Sequence, residues 1–250
     1  MRKIKKHIAS CSFGKDSLAS VLIALLKNEP LDEVVYCDVM FDKKTSGEIP
    51  EHKEFIENKA LPFLQREGIN VVVLKSQKTY LDYFLGVVSR GKNKGKIHGF
   101  PICGKCAICR DCKIPPIKQY QRSLSADTVQ YIGIAKDEQE RLLRLNNNHV
   151  SLLSKYGITE AEAWEICKKY DLLSPIYEFT NRNGCFFCMN AKLKELRHLY
   201  DFHPDLWNKL LDLQSVPNKC TEYFNRSGTF ADIDRAFRLD DMQLNIFDFL

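Results

Sequence analysis

Short apolar runs alternate with helical segments over the first 145 residues of this chain of 250. The predicted strands lie at residues 6–12, 34–40, 69–74 and 129–135. The predicted helices, with apolar side chains at helical spacing, lie at residues 18–27, 51–67 and 117–122. Because residues 71–74 are continuously apolar, they indicate a parallel sheet that is covered on both faces. The alternation therefore predicts an α/β fold with a doubly wound, mostly parallel sheet.

The strand pattern fades beyond residue 145, and helical spacing takes over. Further helices are predicted at residues 159–170, 191–200 and 204–213. Residues 89–112 are rich in glycine, lysine and cysteine without any period, which predicts a long functional loop. We therefore expect an α/β domain at residues 1–145 that carries this cysteine-rich loop. A mainly helical C-terminal extension at residues 146–250 would carry a second Cys-x-x-Cys pair.

Composition and charge exclude several classes of protein. The chain is 44% apolar and 28% charged, which is typical of a globular protein rather than a disordered one. Its apolar runs fall well short of the ~20 residues that span a bilayer, and no signal-peptide core follows the basic residues 1–6. We expect a cytoplasmic protein without a membrane partner. The net charge of +5 permits contact with nucleic acid without requiring it.

A short motif, SFGKDS at residues 12–17, joins the first predicted strand to the first helix. Free backbone N–H groups and the helix dipole converge on an anion at such a junction. Gly14 lets the backbone approach phosphate oxygens, Lys15 adds a cation, and Asp16 can position Mg²⁺ or orient the loop. The pattern GxxxxGK[ST] of the Walker A loop is absent. The motif therefore predicts a phosphate site of another kind, and a turn without a ligand is the alternative.

The motifs together resemble the PP-loop ATP pyrophosphatase superfamily, whose loop usually reads Ser-Gly-Gly-Lys-Asp-Ser; here Phe13 stands in place of the first glycine. Residues 131–138 with Arg141 are similar to the Gly-x-x-x-Asp-Glu-x-x-Arg stretch of the phosphoadenosine phosphosulfate (PAPS) reductase-like branch. That branch includes the ATP pyrophosphatases of DNA phosphorothioation. Residues 173–177 and 184–207 carry segments that resemble the later motifs of the same branch.

This resemblance implies an adenine nucleotide alpha hydrolase-like fold and cleavage of ATP to AMP and pyrophosphate, which adenylates a substrate for sulfur transfer. It implies ATP and Mg²⁺ as cofactors. It also implies DNA or another nucleic acid, a cysteine desulfurase and other sulfur-transfer proteins as partners. The implied catalytic residues are Lys15, Asp16 and Arg141. The implied nucleotide-binding residues are Ser12, Phe13, Gly14, Lys15, Asp16, Ser17, Asp38, Gly133 and Asp137.

Other functions fit parts of the same pattern. A PAPS or adenylyl sulfate (APS) reductase would use the same nucleotide crevice, but such reductases carry a mobile C-terminal catalytic cysteine, and no cysteine follows Cys220 here. A non-catalytic nucleotide and metal-binding module is a third interpretation. Asp137, Glu138 and Arg141 are also typical of a solvated helix start, with acidic residues near its N-terminus.

The spacing of the cysteines predicts a metal centre. The candidate ligands are Cys103, Cys106, Cys109, Cys112, Cys185 and Cys188. Two cysteines three positions apart can direct both sulfurs to one centre, and thiolates select zinc or iron–sulfur clusters. Because the arrangement is similar to those of APS reductases and of the iron–sulfur proteins of DNA phosphorothioation, we favour a [4Fe-4S] cluster over zinc. Our preferred ligand set is Cys109, Cys112, Cys185 and Cys188, and a structural zinc site is the alternative.

Two further groups of residues are interpreted from their surroundings. The remaining cysteines lie singly in apolar or helical surroundings and are expected to be core thiols: Cys11, Cys37, Cys167 and Cys220. Residues 90–96 hold a run of cations separated by glycines, which suits the phosphate backbone of a nucleic acid. A solvated surface loop explains the same run.

Overall fold

The computed structural model describes residues 5–101, 106–124 and 127–247, without the side chains of residues 244–247. The strands are β1 (Lys5–Ser10), β2 (Glu33–Asp38), β3 (Asn70–Lys75), β4 (Asp127–Ile132), β5 (His149–Val150), β6 (Tyr223–Asn225) and β7 (Gly228–Thr229). The helices are α1 (Lys15–Leu26), α2 (Pro50–Phe55), α3 (Leu61–Arg66), α4 (Tyr80–Phe84), α5 (Ile114–Ser123), α6 (Gln139–Leu142), α7 (Leu152–Lys155), α8 (Glu160–Lys169), α9 (Leu193–Phe202), α10 (Pro204–Gln214) and α11 (Phe230–Phe247). In these residues, no helix is both long and apolar enough to cross a membrane.

The first five strands form one parallel sheet in the order β3-β2-β1-β4-β5. The chain builds outwards from β1 through β2 to β3, and it then returns to place β4 on the opposite side of β1. The order of the strands therefore reverses between β1 and β4. In open α/β sheets, ligands bind outside the carboxyl ends of the strands at this switch point. Ser10 of β1 and Ile132 of β4 are paired at this end of the sheet. The topology therefore predicts a ligand site at the residues that follow them.

Helices cover both faces of the sheet, so the predicted doubly wound parallel α/β fold is confirmed. On one face, α1 packs against α7 and α8 over a core that includes Leu18, Leu22 and Tyr131. Successive side chains of a strand point to opposite faces, so Gln130 lies on the other face from Tyr131. There Gln130 accepts a hydrogen bond from Gln121 of α5, which places α5 on that second face.

The sheet differs from the sequence prediction at its two edges. We expected the strand at 69–74 to be covered on both faces, but Val73 of β3 is 48% exposed because β3 is an edge strand. The other edge, β5, lies at His149–Val150, in a part of the sequence where no strand was predicted. A strand of two residues is too short to leave a period in the sequence.

The predicted loop at residues 89–112 is also more regular than expected. Val87 pairs antiparallel with Ile97, and further backbone hydrogen bonds close a hairpin at residues 87–97. The chain is helical from Ala107, through a π-helical turn at Cys109–Lys113, into α5. Prolines at 115 and 116 have no N–H for the usual helical hydrogen bonds, which made a helix here unlikely from sequence. The wider π turn immediately before them keeps the helix continuous.

The chain forms two compact units, and neither is a continuous stretch. The first unit contains the parallel sheet and comprises Met1–Asp38, Glu48–Gln77 and Lys113–Asn183. The second unit comprises Val39–Gly47, Lys78–Cys112 and Gly184–Leu250. Its core is aromatic and includes Tyr80, Phe187 and Trp207, and in it α10 packs against α9 and α11. The helices predicted at 191–200 and 204–213 correspond to α9 and α10, whereas the domain boundary at residue 145 stays a prediction.

Candidate nucleotide site and cysteine centre

The SFGKDS loop at residues 12–17 turns from β1 into α1 at the switch point of the sheet. Its internal contacts run through Ser17, whose hydroxyl donates to the Gly14 carbonyl (3.0 Å) and accepts from the Ser12 backbone N–H (3.2 Å). These two hydrogen bonds fix the shape of the loop, and nucleotide binding by Ser17 stays a prediction. Because the N-cap residue is Gly14, no N-cap side chain occupies the N–H groups of the first turn of α1, although the Lys15 N–H donates to the Tyr177 hydroxyl (2.7 Å). That turn can therefore receive an anion.

Phe13 occupies the one position where the loop departs from the usual motif. Its φ of 58° lies in the left-handed region that favours glycine, and a non-glycine residue there costs about 1–2 kcal/mol. The ring is fully buried and lies edge-on to Tyr36, with 5.3 Å between the ring centroids. Burial of a phenylalanine side chain contributes about 1.5–3 kcal/mol, which offsets the backbone cost. The loop thus keeps a glycine-like backbone conformation at residue 13, while the Phe13 side chain anchors the loop in the core.

Lys15 is held by two carboxylates. Its Nζ lies 2.8 Å from Asp16 Oδ1 and 2.7 Å from Glu160 Oε1, and the residue is only 9% exposed. Burial alone would lower the pKa of Lys15, but the hydrogen bonds that its ammonium donates to Asp16 and Glu160 outweigh burial and raise it. The lysine is therefore a cation, and a phosphate must compete with Glu160 for it. Glu160 had no motif to mark it in the sequence.

Gly133 follows β4 and presses directly against the start of α1. A Cβ atom at this position would lie 2.5 Å from both Cα and N of Ser17, so only glycine fits at position 133 without a shift of the backbone. The two predicted motifs, residues 12–17 and the stretch that begins at Gly133, therefore meet at the switch point. The nucleotide-binding role that the resemblance implied for Gly133 stays a prediction.

Asp137 and Arg141 make contacts that the sequence did not suggest. Asp137 accepts a hydrogen bond from the backbone N–H of Glu160 (3.1 Å) and so fixes the start of α8, the helix that holds Glu160 near Lys15. Arg141 is paired with Glu138, and half of its side chain is exposed. Arg141 thus lies at the surface in an ion pair with Glu138, and its catalytic role stays a prediction.

A network of polar side chains hydrogen-bonds to the backbone of the loop, and the sequence did not predict it. His52 is fully buried, with Nδ1 at 2.8 Å from Ser174 Oγ and Nε2 at 3.0 Å from the Ser12 carbonyl. Asn183 also donates to that carbonyl (2.8 Å), and Tyr177 accepts from the Lys15 backbone N–H (2.7 Å). Ser174 and Tyr177 lie in the segment 173–177 that resembles a family motif, but nothing in the sequence marked His52.

Asp38, the remaining predicted nucleotide-binding residue, ends β2 and is buried. Glu48 is buried nearby: burial raises its pKa and the charge of Asp38 raises it further, while His52 and Lys113 act in the opposite direction. The Glu48 carboxylate accepts a hydrogen bond from Tyr36 (3.2 Å). An acidic, buried group therefore lies at the carboxyl end of β2.

The first group of candidate ligands comprises Cys106, Cys109 and Cys112, while Cys103 lies outside the described residues. The Cys109 backbone N–H donates to Cys106 Sγ (3.4 Å), which places this sulfur at the start of the helical segment that runs into α5. Cys112 is fully buried, its Sγ lies 3.7 Å from the Thr79 carbonyl oxygen, and burial raises its pKa to about 11. A bound metal would have to displace the proton that this thiol keeps at neutral pH.

The second group, Cys185 and Cys188, forms a tight turn in which the Cys188 N–H donates to the Cys185 carbonyl (3.0 Å). Between them Phe187 stacks on Tyr80, with 4.2 Å between the ring centroids. Burial raises the pKa of Tyr80 well above its usual value, and the negative charges that Tyr83, Cys188 and Cys185 carry when ionised raise it further. The fold thus brings both cysteine groups to the dipeptide of Thr79 and Tyr80.

The spacing of the sulfurs is described for five of the six candidate ligands, all except Cys103. Four thiolates around tetrahedral zinc, each about 2.3 Å from the metal, lie about 3.8 Å apart. In the part of the chain that the structure describes, no three cysteine sulfurs lie within 4.8 Å of one another. The thiolates of a cubane bind different irons and stand farther apart than those around one zinc ion.

The single cysteines divide into two kinds. Cys11, Cys37 and Cys167 are buried, as predicted for core thiols. Cys220 is only half-buried, so the prediction of a core thiol was wrong there. Its backbone N–H donates to the Ile97 carbonyl, which places it beside the surface hairpin rather than in the core.

Comparisons with known proteins give distant likenesses. No protein-family model matches the chain. A protein of Methanocaldococcus jannaschii, described as uncharacterized protein MJ0973, is 24% identical over 226 residues; the alignment covers 85% of this chain and 49% of that protein. The chain thus spans about half the length of that relative.

Among solved structures, the chain is similar to the U34-tRNA thiolase NcsA from Methanococcus maripaludis, which was solved with its [4Fe-4S] cluster. The TM-score is 0.43 and the identity is 13%, with 95% of this chain and 72% of that one covered. A likeness at this level is too weak to establish a shared activity. The function must therefore be argued from the site itself.

Proposed function

We propose that this protein is an ATP pyrophosphatase of the PP-loop type, which adenylates an acceptor for sulfur transfer to nucleic acid. The observation that carries this proposal is the position of the SFGKDS loop (residues 12–17). It lies at the switch point of a parallel sheet, with an uncapped helix start and a buried lysine. An anion-binding helix terminus at such a switch point is the usual place for nucleotide phosphates in α/β folds.

The residues of the loop fit the terminal phosphates of ATP. The Lys15 ammonium and the N-terminal end of α1, which has no N-cap side chain, offer positive charge, while Gly133 packs directly against the backbone of Asp16 and Ser17. Asp16, whose side chain is partly exposed, offers the carboxylate oxygen that Mg²⁺ prefers. Bound Mg²⁺ would neutralise phosphate charge, and the loop would hold the pyrophosphate that leaves.

The reaction that suits this arrangement is a displacement at the α-phosphorus. An acceptor oxygen attacks that phosphorus, the bond to the bridging α–β oxygen breaks, and pyrophosphate leaves with the electron pair. The acceptor is then linked to AMP, which a sulfur nucleophile can displace. The acceptor supplies the nucleophile, so the step needs no covalent nucleophile from the loop. The loop therefore contributes to catalysis by positioning the phosphates and stabilising their charge.

The cysteines of the second unit suit the sulfur-transfer half of the proposal. The donor set consists of thiols, and a buried tyrosine hydroxyl beside them has no partner in the described residues. Soft sulfur ligands of this kind fit a [4Fe-4S] cluster, which would bring the sulfur and redox chemistry. Delivery of sulfur requires a donor, and a cysteine desulfurase is the partner we propose.

Nucleic acid is the acceptor that the surface of the second unit favours. The hairpin at residues 87–97 is fixed at its base, where the Ile97 N–H donates to the Asn218 carbonyl (3.0 Å). Its cations, Arg90, Lys92, Lys94 and Lys96, are all exposed, and no salt bridge involves them among the described residues. An ordered hairpin with free cations can neutralise backbone phosphates without first losing conformational entropy.

The hairpin is tested with a matched pair of variants of equal charge. Lys92→Gln with Lys94→Gln removes two hairpin cations, and Lys168→Gln with Lys169→Gln removes two exposed cations of α8. We expect the first variant to lower the slope of log affinity against log salt by about two for duplex DNA, and the second to leave it unchanged. Equal slopes in the two variants would contradict a role of the hairpin in binding.

The activity is tested by identifying the products of ATP. Protein reconstituted anaerobically with iron is incubated with Mg²⁺, ATP and DNA or RNA, and nucleotides and phosphates are separated. We expect AMP and pyrophosphate, with release slowed at least ~100-fold in Lys15→Gln and unchanged in Lys168→Gln. Formation of ADP and phosphate, or no AMP with any nucleic acid tried, would contradict the proposal.

A further inference from the structure

Two buried side-chain oxygens have no hydrogen-bond partner in the described residues, Ser20 Oγ and Tyr80 Oη. The two hydroxyls differ in whether a rotation of the side chain can bring them to a hydrogen-bond partner. Ser20 lies within α1, where a small rotation lets its hydroxyl reach a carbonyl of the preceding turn. A tyrosine hydroxyl moves only with its ring. An unpaired buried hydroxyl is costly, so a specific one calls for an explanation, such as an absent ion.

The ring of Tyr80 is fixed on several sides. It is fully buried, lies 4.2 Å from the ring of Phe187 and 5.4 Å from that of Phe41. Its backbone N–H donates to the Met40 carbonyl (2.9 Å), and Thr79 caps α4 immediately before it. The hydroxyl therefore has a defined direction, and no rotamer change can bring it to another partner without disrupting this packing.

The same residues tie Tyr80 to the cysteines. Phe187, on which Tyr80 stacks, lies inside the turn from Cys185 to Cys188. On the other side of the dipeptide, Cys112 Sγ lies 3.7 Å from the Thr79 carbonyl. The unpaired hydroxyl is thus built into the structure that carries both candidate ligand groups, and sulfur is the acceptor that a bound centre would bring.

We propose that the Tyr80 hydroxyl donates a hydrogen bond to a sulfur of the metal centre held by these cysteines, and that it thereby raises the reduction potential of that centre. This inference rests on the proposed [4Fe-4S] cluster. Reduction adds negative charge to the cluster sulfurs, and a hydrogen-bond donor stabilises the more negative state. Tyr80 is a positioning and tuning residue, since it is not itself a ligand.

The test compares Tyr80→Phe with Tyr223→Phe, which removes a hydroxyl from an exposed residue of the same unit. Phenylalanine keeps the ring contacts, and it removes only an atom that has no partner in the chain, so the metal-free variant should melt no lower than the parent. Both variants and the parent are reconstituted anaerobically, and iron, acid-labile sulfide and the midpoint potential are measured.

We expect equal iron in all three proteins. At the midpoint potential of the parent, the ratio of reduced to oxidised cluster should fall about tenfold in Tyr80→Phe, a shift of about 59 mV for one electron. Tyr223→Phe should keep the potential of the parent. A cluster with the same potential in Tyr80→Phe as in the parent overturns this inference alone. A parent protein that takes up no iron, or only zinc, overturns the proposed cofactor and this inference with it.

Discussion

The nucleotide loop and the cysteine centre differ in how complete they are without a ligand. In the loop, Ser17, His52 and Asn183 already satisfy the polar groups that set its shape. Around the cysteines, a buried tyrosine hydroxyl has no partner among the described residues, and a buried thiol keeps a raised pKa. The first site is therefore organised by the protein, whereas the second needs its ligand to be complete.

Nucleotide and metal should stabilise the folded protein to different extents. A preformed site contributes its hydrogen bonds to folding whether or not nucleotide is present, so nucleotide adds only its own binding free energy. A site with unsatisfied groups gains on loading both the metal–sulfur bonds and the pairing of those groups. Metal should therefore raise the melting temperature of the second unit more than ATP raises that of the first.

The largest effect is expected from Cys188→Ser, which tests the dependence of the second site on its ligand. Loss of one thiolate should reduce iron from about four per chain to below one, because a cubane needs its corner ligands. Affinity for ATP should not change, since the loop is organised without metal. Iron analysis and equilibrium binding of ATP measure the two quantities.

The control for this variant is Cys220→Ser, a half-buried cysteine outside the candidate set. It should keep both the iron and the affinity for ATP. Full iron in Cys188→Ser would remove this cysteine from the ligand set.

A smaller effect is expected at the preformed site from Gly133→Ala. The added Cβ would lie 2.5 Å from backbone atoms of Ser17, which cannot yield as a flexible side chain does. We expect the free energy of unfolding in urea to fall by about 2–3 kcal/mol, as in other overpacked sites. Gly68→Ala is the comparison, since its Cβ would meet nothing within 4 Å and only its φ of 72° is unfavourable.

That comparison variant should lose about 1–2 kcal/mol, the usual cost of a non-glycine residue in the left-handed region. If Gly133→Ala lost no more than Gly68→Ala, close packing of β4 against α1 would not be what holds the loop in place.

The smallest effect is expected from Glu160→Gln, which tests whether the Glu160 carboxylate weakens ATP binding by competing for Lys15. Glutamine keeps a hydrogen-bond acceptor for Lys15 but removes the charge with which a phosphate must compete. Because the Glu160 side chain is half exposed, the pair is worth less than about 1 kcal/mol, and we expect KM for ATP to fall about threefold. A higher KM would indicate that Glu160 positions Lys15 for the nucleotide instead.

The sequence was sufficient to predict the parallel sheet and the places of two motifs, one at residues 12–17 and one that begins at Gly133, whereas their roles in nucleotide binding stay predictions. These features rest on local patterns: continuous apolar strands, a short motif after the first strand, and a second motif after the fourth. Strand β5 was missed because two residues carry no period. The helix through Cys109 and Cys112 was missed because prolines follow it, and a π turn accommodates them.

The supporting residues of both sites could not be predicted, because their partners are distant in the chain. His52 and Ser174 are 122 positions apart, and Lys15 and Glu160 are 145 positions apart. Nothing in the neighbourhood of either residue reveals such a partner. The same holds for Tyr80, whose importance appears only when its buried hydroxyl is found without a partner.

The central claim is that the loop at residues 12–17 binds the terminal phosphates of ATP, and a structure with α,β-methylene ATP and Mg²⁺ tests it most directly. We predict that phosphate oxygens accept from first-turn N–H groups of α1, with Lys15 Nζ moved from Glu160 onto the nucleotide. A nucleotide bound elsewhere, with Lys15 still paired to Glu160 and the start of α1 empty, would contradict the account.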